Sequence, residues 1–339
     1  MMEIAMHKEK DQQEQKASRR SFRNRLGGNA GVASIAVFFL CCAVAFSFAT
    51  DTFLTTGNLL NVLRQSAPLL IVATAMTLVI TTGGIDLSIG STLALVGALA
   101  AIALHAGAPD SVVLIGGILL GAFIGAINGY FIAWAGMPAF IVTLGTLSVV
   151  RGLALLITQG YSVPIENDRW FVQLGRGHLL GVPMPAAISI VILLAGWFAL
   201  RHMRFGRYVV GIGTNAEGVR RAGVNVRVVT LKVYILSGAA AGLAGLITTA
   251  RLGSGSSNQG VGFELAVIAA VVLGSTNLFG GRGTILGTLL GALTIAVLGN
   301  GLILIHVSPF YTQIIQGAIM LLAIWMNTRI FTPQRGRKG

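Results

Sequence analysis

The chain has 339 residues, of which 54% are hydrophobic and only 10% charged, with a formal net charge of +13. A soluble globular domain carries about 25% charged residues, so the composition excludes that class and defines an all-α, polytopic membrane protein. The positive excess gathers at the termini and in one central loop, as orientation signals do, so no nucleic-acid partner is predicted.

Residues 1–30 are hydrophilic and read as a cytoplasmic N-terminal tail with no cleavable signal peptide. A spanning helix needs about 20 apolar residues, which places segments near 31–49, 66–82, 87–104, 112–134, 138–157, 186–200, 230–250, 264–279, 284–304 and 311–327. That gives about ten transmembrane helices across 31–327. Several are short and bounded by Gly or Pro, so some are candidates for broken or re-entrant helices, and eight is the competing count. Residues 328–339 form a cytoplasmic C-terminal tail. The 45 glycines suit helices that pack backbone to backbone. Trp134, Trp170, Trp197 and Trp325 near span ends read as interfacial anchors.

With the N-terminus inside, 19 of the 24 Lys and Arg fall on the cytoplasmic side, and only Arg64, Arg169, Arg176 and Arg251 on the other. Arg151 is left inside a span, where it either faces the bundle interior or snorkels to the outer surface. This asymmetry predicts an even number of spans with both termini cytoplasmic.

An internal repeat is visible. Gly117 to Phe140 and Gly287 to Phe310 both read G-x-L-L-G-A, then N-G, then Pro and Phe; upstream, Gly84-Ile85-Asp86-Leu87 is echoed by Gly262-Phe263-Glu264-Leu265. The two copies run in opposite directions across the membrane, an inverted repeat of the kind common in transport proteins.

Asp86, with Ser88 and Ser91 nearby, is placed either to cap a helix or to take part in gating or a translocation path. Glu264 carries the same two readings. Asn128 and Asn300 either line a polar path or hold helices together by hydrogen bonds.

The segment 201–229 is polar and basic, with Glu217 opposing its cations. It has to emerge into water. Within it, Gly211-Ile212-Gly213-Thr214-Asn215-Ala216 matches a loose dinucleotide pattern but lacks the strand-helix alternation that gives that pattern meaning. It reads as a turn before a short helix at 215–222, capped by Asn215 and displaying Arg220 and Arg221. No G-x-x-x-x-G-K-[ST] sequence occurs, so catalysis is not expected in this chain. The adjacent Cys41 and Cys42 and the five scattered His predict neither a disulfide nor a metal site.

Five stretches, MTLVITTGGIDLSIGS, GMPAFIVTLGTLSVVRGLALLITQG, FGRYVVGIGTNAEGVRRAGVNV, AVIAAVVLGSTNLFGGRGTILGTLLGAL and NGLILIHVSPFYTQIIQGAIMLLA, closely resemble the ribose-type permease subunits of bacterial ABC importers for simple sugars. The resemblance covers nearly all of 31–327. It implies a permease dimer in the inner membrane, two cytoplasmic ATPase domains that bind ATP and Mg, and a periplasmic sugar-binding protein, with no cofactor held by this chain. It also implies that a short cytoplasmic helix seats in a cleft of the ATPase, with Asn215, Ala216, Glu217, Arg220, Arg221 and Gly223 as candidates by position. The related branched-chain amino-acid permeases and a proton-coupled secondary transporter using Asp86 and Glu264 are the alternatives.

Overall fold

The computed structural model describes residues 31–308 and, beyond them, 311, 314, 315, 317, 318 and 321. The two predicted tails, Trp325 and most of the tenth predicted span lie outside the described residues. Each of the other nine apolar segments contains a helix. The long ones are α1 (Gly31–Ala49), α2 (Thr56–Thr81), α4 (Asp110–Ala133), α5 (Ala139–Thr158), α7 (Met184–Arg201), α9 (Val226–Leu252) and α11 (Ile285–Leu304), seven helices among the described residues that are long and apolar enough to cross a membrane. α8 (Arg204–Arg221) is the basic segment between α7 and α9.

Local chemistry sets the ends. α4, α5 and α7 each begin directly behind a proline, Pro109, Pro138 and Pro183, whose fixed φ suits a helix start and whose missing N–H costs nothing there. Thr55 caps α2 through the Asn58 N–H, and Asn225 caps α9 through the Val228 N–H. α9 closes on Gly253 in the left-handed conformation, which glycine adopts without a Cβ penalty. α2 starts ten residues before the apolar reading placed it, because its first turns carry Asn58, Asn61, Arg64 and Gln65 and escape a hydropathy window.

α2 and α9 form the centre of the bundle and cross antiparallel: Gly84, just past the C-terminal end of α2, lies against Tyr234 near the start of α9. α4 also runs antiparallel to α9. Along that seam Gly121 and Gly125 of α4 rest on the backbone of Gly238 and Tyr234, and Gly117 and Gly242 continue the contact. The glycines let two backbones meet with no side chain between them, as lipid-embedded helices require. α11 packs on α2 in the same antiparallel sense, joined by Thr77 and Thr288 at 2.7 Å and by a reciprocal amide pair between Asn58 and Asn300 at 2.9 Å. α4 and α11 therefore run in opposite directions. The repeat is inverted in three dimensions.

Two predicted spans prove shorter than a full crossing. α3 (Ile89–His105) and α10 (Phe263–Leu273) have 17 and 11 residues, about 25 and 16 Å of helix against a hydrocarbon core of about 30 Å. Each is completed by non-helical chain, Thr82–Ser88 before α3 and Gly253–Gly262 before α10. Their N-terminal ends abut inside the bundle, where a Cβ on Gly90 would collide with the Glu264 carboxylate and the Gly260 carbonyl.

On the face opposite α8, β1 (Ser162–Pro164) pairs antiparallel with β4 (Ser254–Ser256), aligning Val163 with Gly255. A turn at Trp170–Val172 and the short α6 (Gln173–Arg176) precede a hairpin of β2 (His178–Leu179) and β3 (Val182–Pro183).

Candidate functional site: a buried carboxylate network and a basic cap

Asp86 lies in the non-helical stretch before α3 and is fully buried. Its Oδ1 accepts from the Ser88 N–H at 3.1 Å and the Ser88 hydroxyl at 2.6 Å, and its Oδ2 accepts from the Ser237 hydroxyl of α9 at 2.7 Å. Ser88 Oγ in turn accepts from Asn128 Nδ2 of α4 at 2.9 Å, and Asn128 Oδ1 accepts from the Thr146 hydroxyl of α5 at 2.6 Å. The donors run in one direction and end on the carboxylate, an arrangement in which each bond polarises the next. Ser237 sits about 16 Å along α9 from its start, which puts the network near the middle of the membrane. It ties α4, α5 and α9 to the break before α3.

Of the sequence candidates, Asp86, Ser88 and Asn128 thus come together. Glu264 lies beyond Gly90, in the first turn of α10, with Oε2 buried and unpartnered. Asn300 is elsewhere, paired with Asn58. Sequence reading missed Ser237 and Thr146, since each is embedded in a run of small apolar residues that looks like packing.

Arg151 does not snorkel. Its Nη1 donates to the backbone carbonyls of Ser257 at 2.5 Å and Gln259 at 2.7 Å, in the stretch between α9 and α10.

α8 corrects the reading of its glycine motif. Gly211 and Gly213 are inside a helix, not in a turn, and the break comes at Asn215 (φ −160°, ψ 90°). Asn215 Oδ1 accepts from the Gly218 N–H at 2.9 Å, capping the second half as its residue type suggests. The glycines serve close approach: Val219 packs over Gly211, and Gly213 lies against the Thr81 carbonyl and the Gly281 N–H. The Thr81 carbonyl accepts from Gly281 N–H at 2.9 Å, so α8 abuts the joint between the end of α2 and the α10–α11 connection. Glu217 pairs with both Arg220 and Arg221, and Gly223 ends the segment at φ +83°. The Arg220 contact first, then Arg221, holds the Glu217 carboxyl below the usual glutamate value. Ala216 adds no side-chain polar group. The rest of this surface is exposed and basic.

On the opposite face gather three of the four arginines that the charge asymmetry assigned to that side. Arg64 Nη2 lies 2.9 Å from His178 Nε2, and Arg176 Nε donates to the Arg251 carbonyl at 3.0 Å. The Nε atoms of Arg64 and Arg251 are buried without a partner. None of the three pairs with a carboxylate among the described residues. Arg169 instead bridges Asp110 and Glu166.

Antiparallel central helices, two half-helices meeting end to end and a basic cap on one face define a multi-pass membrane protein of inverted-repeat design. The family model described as "Branched-chain amino acid transport system / permease component" matches residues 58–324. The chain is 43% identical to the ribose import permease of Escherichia coli (strain K12) over 286 residues, covering 84% of this chain and 89% of that one. It is 36% identical to the D-allose transport system permease of the same strain over 86% of this chain and 90% of that one. The xylose transport system permease is 32% identical, with 89% and 94% covered. No solved structure gives a significant match. The chain belongs to this family of ABC-transporter permeases, alongside members named for sugar import.

Proposed function

We propose that this chain is the membrane subunit of an ABC importer that moves a monosaccharide, ribose-like or another simple sugar, across the bacterial inner membrane by alternating access. The names of its relatives support the substrate class. The observation that carries the mechanism is the seat of α8. Its second half, Asn215 to Arg221 with Gly223 behind it, is the exposed basic surface offered to a separate cytoplasmic ATPase, which binds ATP and Mg and does the hydrolysis. Gly213 is wedged on the end of α2. Displacement of α8 is therefore passed to the joint that leads directly to Asp86, Ser88 and Asn128, and through α3 to Glu264, as rigid-body motion of packed elements.

In this reading α8 and both termini are cytoplasmic, and the opposite face receives a periplasmic sugar-binding protein. Arg64, Arg176 and Arg251, none with a carboxylate partner among the described residues, form a basic patch there, suited to an acidic surface by electrostatic steering. A second permease copy completes the pathway within the lipid bilayer. Asn300, clasped to Asn58, then joins α11 to α2 during the transition.

The test is uptake by proteoliposomes holding permease, ATPase and binding protein, with labelled pentoses and hexoses offered beside branched-chain amino acids. Sugar accumulation that requires ATP supports the proposal. Accumulation of amino acids instead supports the second reading, the substrate class named in the description of the matching family model. Transport by the permease alone down an ion gradient overturns both.

A further inference from the structure

The stretch Gly253–Gly262 returns from the outer face to the middle of the membrane with no helix of its own. It leaves β4, which pairs with β1, and reaches the start of α10 with Gly260 pressed on the Gly90 carbonyl. Gly255 lies on α3 against Gly97 and Ala101. Its other flank is open: Asn258 and Val261 are exposed, Val261 to 75%, and Leu265 beyond it to 66%. Non-helical backbone at this depth is tolerated only where protein buries it or where it borders water. An exposed asparagine on such backbone points to water.

Three glycines, Gly253, Gly260 and Gly262, hold positive φ at its two ends. Between them the strap is fastened by α5. Arg151 holds the Ser257 and Gln259 carbonyls, and the Thr158 hydroxyl donates to Ser257 Oγ at 2.8 Å. Arg151 thus spends an intramembrane guanidinium on neutral carbonyls. A stronger partner stands near. Glu264, in the first turn of α10 just beyond the strap, forms no ion pair with Arg151, and its Oε2 has no hydrogen-bond partner among the described residues.

We infer that the Gly253–Gly262 strap is the wall of the translocation pathway in the outer half of the membrane, and that Arg151 is the positioning residue that holds it closed. This rests on the transporter reading above. When Arg151 exchanges the two carbonyls for the Glu264 carboxylate, an ion pair replaces two bonds in which only the donor is charged, and the strap is released to pivot on its glycines. The flank it presents carries the Asn258 amide, a donor and acceptor suited to sugar hydroxyls.

The experiment uses the full chain with its ATPase and binding protein in right-side-out vesicles, in a Cys41→Ser, Cys42→Ser background carrying Asn258→Cys. A membrane-impermeant maleimide is added outside. Arg151→Gln is expected to raise the labelling rate about 10-fold, a shift in the closed-to-open population of that size. Arg151→Lys, which keeps one donor for the carbonyls, is expected to restore most of the closure, and the milder Thr158→Val to raise labelling by a smaller factor. Equal labelling in the parent, Arg151→Gln and Thr158→Val proteins overturns the inference. So does a cysteine that ignores the aqueous reagent but reacts with a membrane-soluble one. Labelling does not depend on the solute carried, so this pattern without sugar uptake removes the substrate reading and leaves the strap standing.

Discussion

Ser237, in the middle of α9, donates its hydroxyl to Asp86 Oδ2 at 2.7 Å, joining two residues 151 positions apart across the centre of the bundle. Leaving one partner of a buried hydrogen bond unsatisfied costs about 1–3 kcal/mol, so Ser237→Ala is expected to destabilise the purified protein by that amount. Asp86→Asn should cost more, because its amide nitrogen must face one of the donors from Ser88 or Ser237. Thermal unfolding in detergent measures both. A change under about 0.5 kcal/mol for either would show that the network contributes nothing to cohesion.

The α4–α9 seam makes a steric prediction. A Cβ on Gly125 meets the Tyr234 carbonyl and one on Gly238 meets the Gly121 carbonyl, both backbone atoms that cannot rotate away. Gly125→Val or Gly238→Val should therefore cost at least about 3 kcal/mol, the upper range for overpacking. Gly145→Val on α5, where a Cβ meets nothing, is the matched control. Size-exclusion profiles and unfolding midpoints distinguish them.

At α8 the expected result is uncoupling rather than unfolding. Gly213→Val pushes the helix off the Thr81 carbonyl, so ATP hydrolysis by the assembled complex should continue while uptake falls several-fold. Asn215→Ala removes a cap worth about 1 kcal/mol and should weaken ATPase binding and uptake in parallel. Hydrolysis and uptake measured on one proteoliposome preparation separate the two outcomes. Proportional loss of both with Gly213→Val would contradict the contact's role.

Glu217 sets a pH expectation. Its folded-state value is depressed below the ordinary 4.5 by Arg220 and Arg221. A depressed carboxyl contributes above its unfolded value and loses that contribution as pH falls through the folded one. ATPase–permease association should therefore show no Glu217-dependent change between about pH 6 and 8, and Glu217→Gln should have the same effect at both ends of that range. Titration of the association by light scattering checks it. A Glu217-dependent step near neutrality would mean that the carboxyl has a different partner in the complex.

The amino-acid sequence by itself determined that helices cross lipid, where most of them begin and that two copies of one pattern face opposite ways. Lipid leaves backbone groups only internal partners, so a long apolar run reads as a helix somewhere within it, and Pro109, Pro138, Pro183, Asn215 and Asn225 act on their immediate neighbours. Asp86, Ser88 and Asn128 stood out as polar residues in apolar surroundings, and the structure unites them. That Glu264 stands apart across Gly90, that Asn300 faces Asn58 and that Arg151 grips the Ser257 and Gln259 carbonyls was decided only by tertiary structure. The same is true of the shortening of α3 and α10, because hydropathy measures how apolar a segment is and not whether its backbone is helical. Gly211 and Gly213 show the limit most plainly: a glycine reads alike as a turn or as a close approach until the neighbouring backbone, here the end of α2, is in place.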